Sequence, residues 1–267
     1  MQIRFEAAPL WCRRKSVKVL IKPNAQAIGS EVADTIEALL KEKPAAVLGV
    51  ATGSSPLPVY AELIRRHREE GLSFADSQAF MLDEYVNIRA DHPERYFNFI
   101  DRHFSSQVDF AEGAVHGPNG LAEIPELEAR DYDDSIEAAG GVDFQILGVG
   151  SNGHIAFNEP GSTQDSRTRT IALTEQTRHD NARFFDGDVS QVPKLALTQG
   201  LGTIMEARSI VMIALGEGKA DAVRELVEGK ARREWPVTIL QRHPNVVVYL
   251  DEAAASKLSN PADYREN

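Results

Sequence analysis

A histidine and a carboxylate five residues apart across a glycine-rich turn are the groups in this chain best suited to moving a proton. The stretch is GVGSNGHIAFNEPGS, residues 148–162, with His154 and Glu159 on either side of the bend. If the chain folds back, the pair comes near enough for an imidazole–carboxylate hydrogen bond. Such a bond fixes one tautomer and raises the ring's basicity. A structural histidine in a tight turn is the competing reading. A second stretch, MLDEYV at 81–86, places Asp83 and Glu84 directly after an apolar run. A carboxylate at a buried strand end loses hydration, so its pKa rises toward that of a useful general base. Adjacent side chains on an extended backbone point opposite ways, so only one of the two faces a cleft. A helix-capping Asp beside a solvated Glu explains the same residues without chemistry. A third stretch, GVATGSSPLPVY at 49–60, runs through Thr52, Gly53, Ser54 and Ser55 into Pro56 and an amphipathic segment. A helix start offers free N–H groups and a positive dipole end to an anion, so the turn reads as a phosphate cradle or as a plain capped turn. It carries neither the Gly-Lys-Ser/Thr of a P-loop nor the GxGxxG of a dinucleotide site.

These stretches need elements that hold them together. Short, nearly all-apolar runs at 17–21, 46–51, 79–82, 144–149, 210–215 and 246–250 read as strands. Amphipathic segments at 27–42, 57–70, 125–138 and 217–229 read as helices between them. Strands without a polar face suit a parallel sheet covered on both sides. The expected fold is a Rossmann-like three-layer α/β/α domain with a mainly parallel sheet, a single domain over 17–267 after an N-terminal extension, 1–16. In such sheets ligands collect at the carboxyl ends of the strands. All three chemical stretches fall at strand ends.

Composition limits the partners. The chain has 267 residues, 42% of them hydrophobic, enough for a substantial core, and a net charge of −11. The acidic balance speaks against sequence-independent binding to nucleic acid or to an anionic membrane, which depends on clustered Lys and Arg. No apolar run approaches the roughly 18 residues of a membrane span, and no signal-peptide pattern opens the chain. Cys12 is the one cysteine, so neither an internal disulfide nor a cysteine-based metal cluster can form, as expected of a cytoplasmic protein.

The three stretches, together with RFFDGDVSQVPKLALTQGLGTIMEARSIVMIALGEGKA further on, resemble the glucosamine-6-phosphate deaminase family from about Val17 to Leu250. GHIAFNEPGS is the specific signal. The resemblance implies conversion of glucosamine 6-phosphate and water to fructose 6-phosphate and ammonium, and so an enzyme grouped with the hydrolases of amino-sugar metabolism. It implies Asp83 as the base at C2, His154 as the group that assists pyranose opening, and Glu159 as the partner that orients and charge-balances it. The phosphate of this small-molecule substrate would rest on Thr52, Gly53, Ser54 and Ser55, with Arg183 and Lys219 as cationic partners. No metal and no organic cofactor are needed. Asn152 stands where some members carry Asp; a neutral amide still orients the ring but stabilises an imidazolium less.

Two alternatives differ in class. A 6-phosphogluconolactonase also places Gly-His after a glycine-rich strand end, but tends to continue Ala-Ser-Leu-Phe-Pro after one variable residue, where this chain has Ile155 through Pro160. A non-catalytic sugar-phosphate sensor would normally carry a DNA-binding segment, for which residues 1–16 are too short. Hexameric members are activated by N-acetylglucosamine 6-phosphate at a site where the segment after Asn-Glu-Pro supplies a serine, an arginine and a lysine. This chain keeps Ser162 and Arg169 but has Ile171 at the lysine's place, and it ends soon after the last strand. A monomer or small homo-oligomer without that activation is expected.

Overall fold

The computed structural model describes residues 17–265; the extension 1–16, with Cys12, lies outside the described residues. Ten strands alternate with seven α-helices. The strands are β1 (Lys18–Lys22), β2 (Val47–Val50), β3 (Gln78–Met81), β4 (Asp83–Tyr85), β5 (Val115–His116), β6 (Phe144–Leu147), β7 (Arg169–Ala172), β8 (Leu195–Thr198), β9 (Ser209–Ala214) and β10 (Val246–Asp251). The helices are α1 (Ala25–Glu42), α2 (Leu57–Glu70), α3 (Tyr96–His103), α4 (Pro125–Ala138), α5 (Glu175–Asn181), α6 (Leu201–Met205) and α7 (Ala220–Glu228). Seven strands form one sheet in the order β1-β10-β9-β6-β2-β3-β5, every neighbouring pair parallel. This is the expected three-layer α/β fold.

The strands are apolar throughout because both faces are covered. In β9, Ile210, Met212 and Ala214 belong to one core cluster while Val211 and Ile213 belong to the other, across the sheet. Each fully buried aliphatic side chain contributes about 1.5–3 kcal/mol, so a polar residue on either face would cost more than in a sheet with one wet face. Local signals set the helix ends. The Asn24 side chain accepts from Ala27 N–H at 2.8 Å to start α1, and α2 stops at Gly71, whose φ of 76° suits glycine. The segment expected to be one helix over 217–229 is a 3₁₀ turn, Glu217–Lys219, followed by α7.

The order in which strands are added reverses between β2 and β6: from β2 the chain builds outward to β3 and β5, then returns to place β6, β9 and β10 on the other side. That switch point is where open α/β sheets leave a crevice.

A second sheet, absent from the sequence-based expectation, has three antiparallel strands in the order β4-β8-β7. The chain passes from β3 into β4 through Leu82 alone, so Asp83 stands at the junction of the two sheets. Gln199 clamps the bend: its N–H donates to Leu82 O at 2.8 Å and its side-chain amide to Met81 O at 2.9 Å. A third apolar cluster around Tyr85, Phe157, Leu173 and Phe185 joins this small sheet to the segment 173–192.

Candidate active site

A cavity of about 590 Å³ opens over the switch point. It is lined by residues that follow four parallel strands: Thr52–Ser55 after β2, Asp83 after β3, Gly148–Ser151 and His154 after β6, and Lys219 after β9. Arg183 comes from the 3₁₀ turn after α5. The structure therefore brings Asp83, His154, Thr52–Ser55, Arg183 and Lys219, all named from the sequence, to one cavity.

The cradle is fixed from below. The Tyr60 hydroxyl, buried in α2, donates to Ala51 O at 2.7 Å and accepts from Ala51 N–H at 3.0 Å, which locks the last residue before Thr52. Pro56 and Pro58 open the helix, as the sequence indicated. Lys219 and Arg183 bring cations to the same cavity; burial, with the Arg183 charge adding to it, holds the Lys219 ammonium below its ordinary pKa.

Asp83 and Glu84 divide as the alternation of a strand requires. Asp83 faces the cavity and is 6% exposed, and its carboxylate accepts no hydrogen bond among the described residues. Burial, and secondarily the Glu84 charge, push its carboxyl up to about 8. Glu84 turns away and is 1% exposed. It accepts from the backbone N–H groups of Tyr85, Tyr96 and Phe97 at 2.9–3.0 Å and so caps the start of α3. The reading of a capping Asp beside a solvated Glu is thereby inverted: the glutamate caps, and it is buried. Its burial raises its pKa, against the lowering pull of those three N–H donors and of Arg95.

The β6 turn depends on glycine. A Cβ added at Gly150 would lie 2.2 Å from His154 Cε1, so the imidazole occupies the space a side chain would need. Gly153 has φ of 82° with Trp235 packed behind it. Ala156, also lining the cavity, holds φ of 52°, a strained value for a residue with a side chain.

The expected direct bond between His154 and Glu159 is not made. His154 Nδ1 stands 3.9 Å from Glu159 Oε2, because Asn152 lies between them. Asn152 Oδ1 is 2.8 Å from His154 Nδ1, and Asn152 Nδ2 donates to Glu159 Oε2 at 2.7 Å. A carboxylate only accepts, so Glu159 fixes which end of the amide faces it and leaves Oδ1 for the ring. Nδ1 therefore carries the proton, and Nε2 keeps its lone pair for a ligand. Burial holds the ring below the ordinary histidine range, opposed by Glu159 and Asp180 and reinforced by Lys219.

Sequence reasoning missed the far wall. Thr177, Asp180 and Asn181 of α5, with Tyr85, Tyr96 and Phe185, complete the lining. Asn181 Nδ2 donates to Tyr85 Oη at 2.8 Å, and the Thr177 hydroxyl donates to Glu159 Oε1. The available signal was the helix start at Thr174, whose hydroxyl accepts from Thr177 N–H.

Residues 22–249 match the family model described as glucosamine-6-phosphate isomerases/6-phosphogluconolactonase. The chain belongs to this family. Within the family, the glucosamine-6-phosphate deaminase of Mycolicibacterium smegmatis is 57% identical over 250 residues, covering 94% of this chain and 96% of that protein. That of Streptomyces coelicolor is 49% identical over 248 residues, 93% and 95% of the two chains. A solved monomeric glucosamine-6-phosphate deaminase superposes with a TM-score of 0.87 at 40% identity, covering 90% of this chain and 99% of its own. The 6-phosphogluconolactonase of Trypanosoma cruzi shares the fold, with a TM-score of 0.72 at 17% identity over 92% and 99% of the chains. The grouping with hydrolases is overturned here. The family description names isomerases, and the relatives that share half this sequence are deaminases.

Proposed function

We propose that this chain deaminates glucosamine 6-phosphate to fructose 6-phosphate, with Asp83, His154, Asn152 and Glu159 as its proton-handling residues. The phosphate binds the Thr52–Ser55 turn between Lys219 and Arg183. His154 Nε2 takes the anomeric hydroxyl proton as the pyranose opens and returns a proton to the ring oxygen, exposing the aldehyde that acidifies C2–H. Asp83 removes the C2 proton as O1 takes a proton, giving the enaminol with O1 protonated and the nitrogen as a neutral amine; the Asp83 proton then goes to C1, which becomes CH2OH and leaves an iminium at C2. Water adds to that carbon, the C–N bond breaks to release ammonium, and the ketose remains.

One observation carries the reading: a buried carboxylate without a hydrogen-bond partner faces the same cavity as two cations and an imidazole lone pair. A carboxyl poised near neutral pH is matched to abstraction of a carbon acid. A lactone hydrolase would need no base facing C2. The test is ammonium release from glucosamine 6-phosphate, run in deuterated water so that solvent hydrogen in the ketose reports the C2–C1 transfer. Turnover of 6-phosphogluconolactone without ammonium release from the amino sugar would replace this function with the lactonase one, and binding without turnover would replace it with the sensor.

The single cysteine supports a cytoplasmic location, and the monomeric state of the solved relative supports a monomer or small homo-oligomer. Among the described residues no helix is long and apolar enough to cross a membrane.

A further inference from the structure

We infer that Thr177 is a positioning residue for His154, acting through Glu159 and Asn152 to hold the imidazole in the tautomer that leaves Nε2 unprotonated. The inference rests on the role given to His154 above and adds what sets that role's proton.

An asparagine amide has two ends of nearly equal shape. With Oδ1 toward the ring, Nδ1 must carry the proton; with Nδ2 toward the ring, Nδ1 must be the acceptor and the proton moves to Nε2. The second arrangement would present an N–H where ring opening needs a base. A carboxylate in the position of an Asn152 oxygen would need no such control, since both of its ends accept. This chain has the amide, so something must choose its orientation.

The choice is shared between the His154 backbone N–H, which donates to Asn152 Oδ1 at a long 3.2 Å, and a file of shorter bonds that runs to Glu159. The Thr174 hydroxyl donates to Thr177 Oγ1 at 2.9 Å, which leaves the Thr177 proton to go elsewhere. That proton goes to Glu159 Oε1, while Asn152 Nδ2 donates to Oε2 at 2.7 Å. His154 Nδ1 completes the file on Asn152 Oδ1 at 2.8 Å. Thr177 is buried and the Glu159 side chain is 14% exposed, so water competes poorly for these positions. Without the Thr177 hydroxyl, one carboxylate oxygen loses its anchor and the carboxylate can rotate away from Asn152. The His154 backbone N–H, 3.2 Å from Asn152 Oδ1, is then the main contact left to oppose turnover of the amide.

The test compares Thr177→Val, which keeps the shape and removes the hydroxyl, with Thr177→Ser, which restores it. Imidazole nitrogen shifts of the ¹⁵N-labelled full chain report the His154 tautomer directly and need no turnover. The wild type and Thr177→Ser should show Nδ1 protonated; Thr177→Val should show a population with Nε2 protonated. Its kcat should fall about ten- to a hundredfold, the scale for losing an outer partner of a functional histidine, with KM changed far less. An analogue lacking the C4 and C5 hydroxyls cannot cyclise and should be spared the loss. In an Asn152→Asp background, which has no amide to turn, Thr177→Val should leave the tautomer as it was. Glu159→Gln repeats the test should Thr177→Val not fold, because its amide can donate to Asn152 and reverse the file. An unchanged tautomer in both variants, or an equal loss on the open-chain analogue, would overturn the inference. A wild type that releases no ammonium sinks the function instead, and leaves the tautomer result standing.

Discussion

The floor of the cavity and its cover are built differently. The floor is the set of turns that leave β2, β3, β6 and β9, each anchored in a strand buried on both faces. The cover is α5, seven residues long, and the 3₁₀ turn Ala182–Phe184, where most side chains are exposed and Phe184 is 44% exposed. Side-chain bonds tie the cover down at Thr177 to Glu159 and at Asn181 to Tyr85, above a small apolar cluster. Segments with few buried contacts open at lower free energy than core strands. Asp83 and His154, the proposed proton-handling groups, therefore sit where position is fixed, while Arg183, one of the two cations proposed for the phosphate, sits where the site can yield. The difference assigns chemistry to the floor and a share of the binding to the cover.

The largest effect is expected on the floor. Asp83→Asn should lose roughly 10²–10⁴-fold in turnover while keeping most of its substrate affinity, and solvent exchange at C2 should fall in step. The same change should stabilise the fold, with a definite pH dependence. Below about pH 4 Asp83 is protonated in both the folded and the unfolded chain, and there is no cost. Between there and its folded value of about 8 the folded protein keeps a proton that the unfolded chain has lost, so stability falls as pH rises. Above that value the full cost of a buried charge is present. Asn carries none, so the melting-temperature gain of Asp83→Asn should widen from pH 5 to pH 8. For the wild type, kcat/KM should fall as pH drops below about 8, since the base must first lose its proton. A variant with near wild-type turnover would move the base elsewhere and dissolve the contrast.

The two cations test the contrast from both sides. Lys219→Ala on the floor and Arg183→Ala on the cover should each weaken substrate binding by about one to two decades, the worth of a charge-assisted hydrogen bond of roughly 1.5–3 kcal/mol. Lys219 is the more buried of the two, so its loss should cost more. Both should act on KM more than on kcat. A larger loss from Arg183→Ala would give the cover the leading share of the binding.

A smaller effect separates the regions without any mutation. Backbone amides of 175–185 should exchange with deuterated solvent well before those of β6 and β9, and inorganic phosphate should slow them. Equal protection in both regions would show the cover to be part of the rigid core.

The same contrast decides what could be read in the sequence. The floor was legible because each motif is contiguous with the strand that aims it: Asp83 follows β3 by two residues and the histidine turn follows β6 directly. Of the cover only Arg183 was named, from the resemblance; the rest was not legible, because its bonds span long separations. Thr177 reaches Glu159 across 18 residues and Asn181 reaches Tyr85 across 96. The strands β7 and β8, RTIA and LALT, carry no clear period in four residues each. They are strands because they pair with each other and with a three-residue strand far upstream. Asn152 was named from the resemblance as a group that orients the ring, but its place between His154 and Glu159 was not legible, for a different reason. Spacing places His154 and Glu159 near each other, but which side chain lies between them depends on how a turn with φ of 82° at Gly153 is wound.

The smallest expected effect is none at all, and it concerns β7 behind the cover. In the hexameric enzymes that this chain resembles, N-acetylglucosamine 6-phosphate is gripped by a serine, an arginine and a lysine. The corresponding Arg169 stays within 3.5 Å of Ser162 Oγ, so two of the three groups still meet. Ile171 packs against the apolar cluster of Tyr85, Phe157 and Leu173, where no cation is offered. One charge-assisted contact is worth roughly 1.5–3 kcal/mol, as much as a whole allosteric coupling energy of about 1–3 kcal/mol. A ligand that has lost it has little differential affinity left with which to shift any equilibrium. Substrate titrations should therefore be hyperbolic and superimposable with and without N-acetylglucosamine 6-phosphate, and light scattering should give a monomer or small oligomer. Sigmoidal curves that the compound straightens would show the cover to be coupled to a site across a subunit boundary, which Ile171 should not support. Ile171→Lys then supplies the converse measurement: weak binding of the compound gained in the variant alone would identify the missing cation as the cause.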